Sequence, residues 1–103
     1  MVGEQVTDND EVYELILFIA GVTPRSQMAL RNVKRFCEVE LKGRYTLQVV
    51  DIYQQPELAK SEQIVAVPTL LKKLPAPLQV LIGDLSATER VLVGLNLKPA
   101  RPS

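Results

Sequence analysis

The chain has 103 residues, 47% apolar and 23% charged, with 12 Lys plus Arg balancing 12 Asp plus Glu and no His. That length holds one domain with a modest core, which excludes a multidomain protein, and the composition excludes a disordered or fibrous chain. The even charge argues against a dedicated nucleic-acid binder, which needs a clustered cationic surface to neutralise phosphates.

The charge is unevenly placed. Glu4, Asp8, Asp10, Glu11 and Glu14 stand in the first 14 residues without a base, leaving seven acids against twelve bases and a body of net charge +5. Such a body suits an acidic protein partner, although solvated Lys and Arg on helix faces account for it more simply. The single cysteine, Cys37, rules out an intrachain disulfide, a CxxC redox pair and a Cys-rich zinc site, so neither metal nor cofactor is expected. The acidic start has none of the features of a signal peptide. The longest apolar run, Leu15 to Ala20, is too short to cross a bilayer, and the expectation is a cytosolic protein.

Residues 1–11 are polar, acidic and without period, and read as a disordered leader to a single domain over 12–97, followed by a short flexible tail at 98–103. Leu15 to Ile19 is a continuous apolar run of strand formers, the pattern of a strand buried on both faces, ended by Ala20 and Gly21. Thr23 followed by Pro24 is a helix start: the hydroxyl accepts from an orphan N–H, and proline at the first helical position loses no needed donor. Ala29, Leu30, Val33, Phe36, Cys37 and Leu41 then form one apolar stripe, with Arg31, Lys34, Arg35 and Glu38 opposite and Gly43 as the expected cap. Cys37, beside Phe36 on that stripe, reads as a small packed hydrophobe.

Tyr45 to Ile52 alternates as a second strand after a helical crossover, which makes a βαβ unit with parallel strands. Tyr13 and Tyr45 mark a partner surface or simply flank strands. Asp51 stands at a strand end with no second acid or metal ligand near it in sequence. Gln54, Gln55 and Pro56 open a short helical segment, Glu57 to Ile64, with Leu58 and Ile64 as its apolar anchors.

The last third gives conflicting signals. One reading makes Thr69 to Leu74 a strand, Pro75-Ala76-Pro77 a turn, Leu78 to Ile82 a strand, and Ser86 to Leu97 a helix with a Ser86/Glu89 capping box. Yet Val91, Val93, Leu95 and Leu97 also alternate at period two, and β-branched residues with Gly94 lower the helix preference. A helix supported by tertiary packing is the simple reading; two real folds are the rarer one.

End to end the elements run βαβαββα, an α/β class. The stretch VVDIYQQPELAKSEQIVAVPTL resembles the thioredoxin segment that ends in a cis-proline loop, which aligns Pro68 with that proline. Where thioredoxins carry CxxC, this chain reads Thr23-Pro24-Arg25-Ser26. A hydroxyl forms no exchangeable disulfide, so thiol redox chemistry is rejected. Ser26 remains the only candidate for a glutathione-dependent enzyme, against the plainer reading of Thr23 as a helix cap and Ser26 as an exposed first-turn residue.

Four stretches in order, FIAGVTPRSQMAL, LKGRYTLQVVDIYQQPELA, AVPTLLKKLPAP and IGDLSATERVLVGL, resemble the KaiB family over residues 13–97. The resemblance implies a non-enzymatic protein, without cofactor, that docks on the N-terminal ATPase ring of KaiC, a RecA-like hexamer, and modulates its phosphorylation cycle. KaiA or a clock histidine kinase are the further partners it implies. It also implies a metamorphic chain with a thioredoxin-like monomer when bound and a dimeric or tetrameric βαββααβ ground state. The implied partner-binding residues are Gln54, Glu57, Leu58, Lys60, Ser61, Gln63 and Ile64, with the edge near Pro68; Pro68, Pro75, Pro77, Gly94 and Asn96 fall in the refolding segment. X-Pro bonds sacrifice only about 0.5 to 1 kcal/mol on going cis, so isomers can differ between folds, while a fixed cis loop and a plain turn are the simpler account.

The chain departs from the family in places. The family's G-L-D reads Gly94-Leu95-Asn96, a family lysine on the short helix aligns with Gln63, and the end, KPARPS, lacks the acidic tail of many cyanobacterial members. A divergent paralogue serving stress responses fits these departures, and so does a redox-dead thioredoxin-fold adaptor that never switches.

Overall fold

The computed structural model describes residues 12–64, 67–83, 85–86, 90–91 and 94. Six elements follow in order: β1 (Tyr13–Ile19), α1 (Pro24–Glu40), β2 (Tyr45–Asp51), α2 (Pro56–Ser61), β3 (Thr69–Leu74) and β4 (Gln79–Ile82). The sheet order is β2-β1-β3-β4. β1 pairs parallel with β2 and antiparallel with β3, and β3 pairs antiparallel with β4. The thioredoxin-like α/β arrangement expected from the residues is the one observed. Arg90, Val91 and Gly94 are helical, as the expected last helix requires, and the remainder of that helix, with Glu89 and Asn96, lies outside the described residues. So do the leader at 1–11 and the tail at 98–103.

The central place of β1 explains its unbroken apolar run. Leu15, Leu17 and Ile19 face the main core, where Ala29, Val33, Phe36 and Cys37 of α1 join Leu41, Leu70 and Val91. Phe18 points to the other face and packs with Val50 and Leu71, over which Ile52, Ala59 and Ile64 lie. A strand with a core on both faces has no side free for polar residues. Tyr13 belongs to this interior, 1% exposed, with the Arg44 guanidinium 5.6 Å from its ring centroid. Tyr45 flanks the sheet, and its hydroxyl donates to Glu38 Oε2 at 3.0 Å.

α1 starts as its residues require: Thr23 is extended, its Oγ1 accepts from the Ser26 N–H at 3.2 Å, and Pro24 takes the first helical position. Its end differs from the expectation. Leu41 is the capping residue, donating its N–H to the Cys37 carbonyl, and Gly43 takes φ +74° two residues later, where the chain turns into β2. The apolar stripe continues to Leu41, which is fully buried, so packing carries the helix axis up to that residue and the glycine serves the turn beyond it.

Two further expectations are corrected. Ser26 is buried, not exposed: its Oγ accepts from the Ala20 N–H at 3.0 Å and ties the β1 end to the first turn of α1. α2 is shorter than Glu57 to Ile64 and its anchors differ. Ala59 and Ile64 pack inward while Leu58 is exposed, because the helix stops at Ser61 and Gln63 takes φ 58°, which turns Ile64 back onto the sheet.

Candidate partner-docking surface

The loop carrying α2 is organised by Asp51, the last residue of β2. Asp51 Oδ1 accepts from the Tyr53 N–H at 2.9 Å and the Gly21 N–H at 3.2 Å, while its carbonyl oxygen accepts from the Gln54 and Gln55 N–H groups. The Ile52 N–H donates to the Ile19 carbonyl at 2.9 Å. One carboxylate therefore joins the ends of β1 and β2 and sets the direction in which α2 leaves the sheet. This residue was not among the expected site residues. Its sequence signal is local, an Asp two residues before a backbone N–H it can receive in an Asx-type turn.

On that mount, Gln54, Glu57, Leu58, Lys60, Ser61 and Gln63 are exposed and Ile64 is half-buried beneath them. The seven expected partner-binding residues thus occur together on one short segment. Six of them face solvent and the seventh anchors it. Glu57 in the first turn and Lys60 in the last turn each match the helix dipole. A salt bridge of 2.7 Å from Lys73 Nζ to Glu62 Oε2 fastens the far end of the segment to β3, and this contact raises the Lys73 pKa. By strand register, Val80 and Ile82 of β4 share the sheet face that α2 partly covers, and both are exposed. A rigid, nearly neutral helix beside exposed aliphatic side chains has the character of a protein-docking surface.

The residues expected to belong to the refolding segment are not brought together. Pro68 is buried at the start of β3, where its carbonyl accepts from the Gly83 N–H at 3.0 Å. Pro75 and Pro77 lie at the opposite end of the β3–β4 hairpin, and the Lys72 ammonium, 1% exposed, donates to their carbonyls at 2.6 and 3.1 Å. The peptide bonds preceding all three prolines are cis. Gly94 stands against β4, where a Cβ would meet the Leu81 side chain. No sequence signal distinguished Lys72 from its neighbour Lys73, since burial of an ammonium depends on carbonyls that only the turn supplies.

Thr23 and Ser26, at the position of the thioredoxin thiols, both use their hydroxyl oxygens to accept backbone N–H groups. Ser26 Oγ is built into the wall between strand and helix. Cys37 lies in the last turn of α1, fully buried, its thiol pushed up to about 12 by burial and then by the neighbouring Glu38 carboxylate. It is inert as a nucleophile at neutral pH. Among the described residues no group of three His, Cys, Asp or Glu is placed to hold a metal, and no helix is long and apolar enough to cross a membrane.

Comparison with known proteins adds names to this geometry. The KaiB domain family matches residues 16–97. The circadian clock protein KaiB3 of Synechocystis sp. is 46% identical over 85 residues, covering 82% of this chain and 83% of the relative. Among solved structures, the N-terminal domain of SasA from Synechococcus elongatus superimposes with a TM-score of 0.67 at 29% identity, covering 93% of this chain and 92% of that domain. The mitochondrial thioredoxin 3 of Saccharomyces cerevisiae gives a TM-score of 0.66 at 17% identity, covering 86% and 81%, a likeness of fold alone.

Proposed function

The chain belongs to the KaiB family of circadian clock proteins, and from that premise we propose that it is a non-enzymatic partner protein. It docks through the exposed face of α2 on the N-terminal ATPase ring of a KaiC-type hexamer; Pro68, buried at the start of the interior strand β3, offers no edge for this contact. The observation that carries this reading is the clustering of Gln54, Glu57, Leu58, Lys60, Ser61 and Gln63 on a helix held in place by Asp51. KaiA, or a clock histidine kinase, is then the protein recruited or displaced by the docked chain. A charge-reversed double variant, Glu57→Lys with Lys60→Glu, tests the surface, because both side chains are exposed and neither supports the core. In gel filtration with a nucleotide-loaded KaiC-type hexamer, the native chain is expected to co-elute and the variant to bind about tenfold more weakly, which corresponds to roughly 1.4 kcal/mol. Arg35→Glu, on the solvent side of α1, should bind as the native chain does. Absence of co-elution by the native chain at high micromolar concentration removes the reading.

The same reading includes a fold switch between this thioredoxin-like monomer and an oligomeric βαββααβ state, supported by the double periodicity of the segment from Ser86 to Leu97. Gly94 offers the lever. An alanine there would bring its Cβ to 2.6 Å from Leu81 Cδ2, 3.1 Å from Cγ and 3.2 Å from Cδ1, so the whole end of a side chain packed against the main core must shift. Such overpacking costs about 1 to 3 kcal/mol, more than the roughly 0.8 to 1.0 kcal/mol by which alanine is favoured over glycine in a helix. Gly94→Ala is therefore expected to lower the ratio of thioredoxin-like to alternative state, read from two sets of amide NMR peaks. A redox-inactive adaptor that does not switch is the second reading, favoured by the likeness to the SasA domain. It predicts one peak set in both proteins, unchanged over days and temperature.

A further inference from the structure

A cavity of about 280 Å³ opens between the first turn of α1 and the chain that follows β4, at the end of the sheet away from the Pro-Ala-Pro turn. It meets the sheet face beside α2 only at Ile82, and none of the docking residues of the α2 segment lines it. Its floor is apolar: Val91 is 3% exposed, and Leu81 and Leu85 pack against the main core. Its polar lining is cationic, with Arg25 from α1, Arg90 from the last helical turn described, and the hydroxyl-bearing Ser86 between them in sequence. The first turn of α1 holds no acid, and among the described residues neither guanidinium is in an ion pair.

Two guanidiniums at one mouth repel each other, and an oxyanion placed between them converts that repulsion into charge-assisted, forked hydrogen bonds. The positive end of α1 adds to the same field. An apolar floor gives nothing to a bare, strongly hydrated ion but favours an anion that carries a hydrophobic body. We propose that this cavity binds a small amphiphilic oxyanion, a phosphate monoester or a carboxylate with an apolar group of about one ring.

The test is an amide NMR titration of the whole chain with phenyl phosphate, benzoate and inorganic phosphate as probes. Phenyl phosphate or benzoate is expected to shift Arg25, Gly83, Leu85, Ser86 and Arg90 along a saturable curve, with the tighter of the two identifying the head group. Inorganic phosphate should bind at least fivefold more weakly than the better probe. The Arg25→Gln/Arg90→Gln variant alters two exposed side chains and should weaken binding at least tenfold, whereas Arg35→Gln should leave it unchanged. The proposal is overturned if neither ring-bearing probe saturates at concentrations on the order of 10 mM, a limit of roughly 3 kcal/mol of binding. It is equally overturned if the arginine variant binds as the native chain does, or if inorganic phosphate binds as well as the ring-bearing probes.

Discussion

Replacing Asp51 by alanine is expected to lower the unfolding free energy by about 2 to 3 kcal/mol and to abolish docking through α2. The side chain takes two backbone N–H groups, from Gly21 and Tyr53, that have no other acceptor within the turn geometry described. Hydrogen bonds to a charged acceptor contribute about 1.5 to 3 kcal/mol each, and in this half-exposed setting water recovers part of the loss, which brings the pair to or below the lower limit of about 3 kcal/mol for two such bonds. The loss is directional as well as energetic, since the β1 end, the β2 end and the entry to α2 all meet at this one carboxylate. Asp51→Asn retains an amide oxygen that can accept the same two N–H groups, so it should lose only about 1 kcal/mol and keep docking. Urea unfolding of the three proteins, paired with the gel-filtration assay, checks both parts. An alanine variant with native stability would mean that water replaces the carboxylate at no cost and that α2 is positioned by its contacts with Phe18 and Val50 alone.

Raising the pH from 9 to 12 is expected to remove up to about 4 kcal/mol of stability through Cys37 alone. Burial raises the thiol from its ordinary 9.0 to about 12, with Glu38 adding to the shift. Between these values the unfolded chain has released the thiol proton while the native chain retains it. The native state then binds more protons, and stability falls with rising pH by about 1.4 kcal/mol per unit. Below pH 9 the thiol is protonated in both states and has no effect. The Tyr45 pKa is also raised, first by its hydrogen bond to Glu38, and this acts in the same direction above pH 10. The Lys73 ammonium, whose pKa is raised by Glu62, likewise contributes stability at lower pH that fades as it deprotonates. Comparison with Cys37→Ala isolates the thiol: urea midpoints of the two proteins should run parallel below pH 9 and converge in slope only above 12. Parallel curves throughout would show that the native thiol ionises in place. Native Cys37 should correspondingly resist a disulfide reagent at pH 8 until urea unfolds the chain.

How legible the molecule was depended on where each preference is decided. β1, α1, β2 and the β3–β4 hairpin were readable because periodicity, the Thr23-Pro24 start and the Pro-Ala-Pro turn act over a few neighbouring residues. The exposed segment 54–63 could be placed from the resemblance to the KaiB family, since that resemblance covers it continuously. The limits of α2 were not readable: its last turn is replaced by Gln63 at positive φ, and Leu58 yields its anchoring place to Ala59. A six-residue helix buries too little of itself for its own pattern to select a face.

The sequence by itself determined the α/β class, the parallel pair around α1, the loss of thiol redox chemistry at Thr23 and Ser26, and membership of a circadian clock family. These depend on residue type and order along the chain. Tertiary structure alone decided that Ser26 is buried, that Asp51 gathers three segments, that Lys72 is enclosed by the carbonyls of Pro75 and Pro77, and that Arg25 and Arg90 meet across one cavity. Asp51 and the two arginines need segments far apart in sequence to come together, while Ser26 and Lys72, whose partners stand only a few residues away, need the turns that fold the chain back over them; burial and electrostatics are set by that packing, not by residue type along the chain.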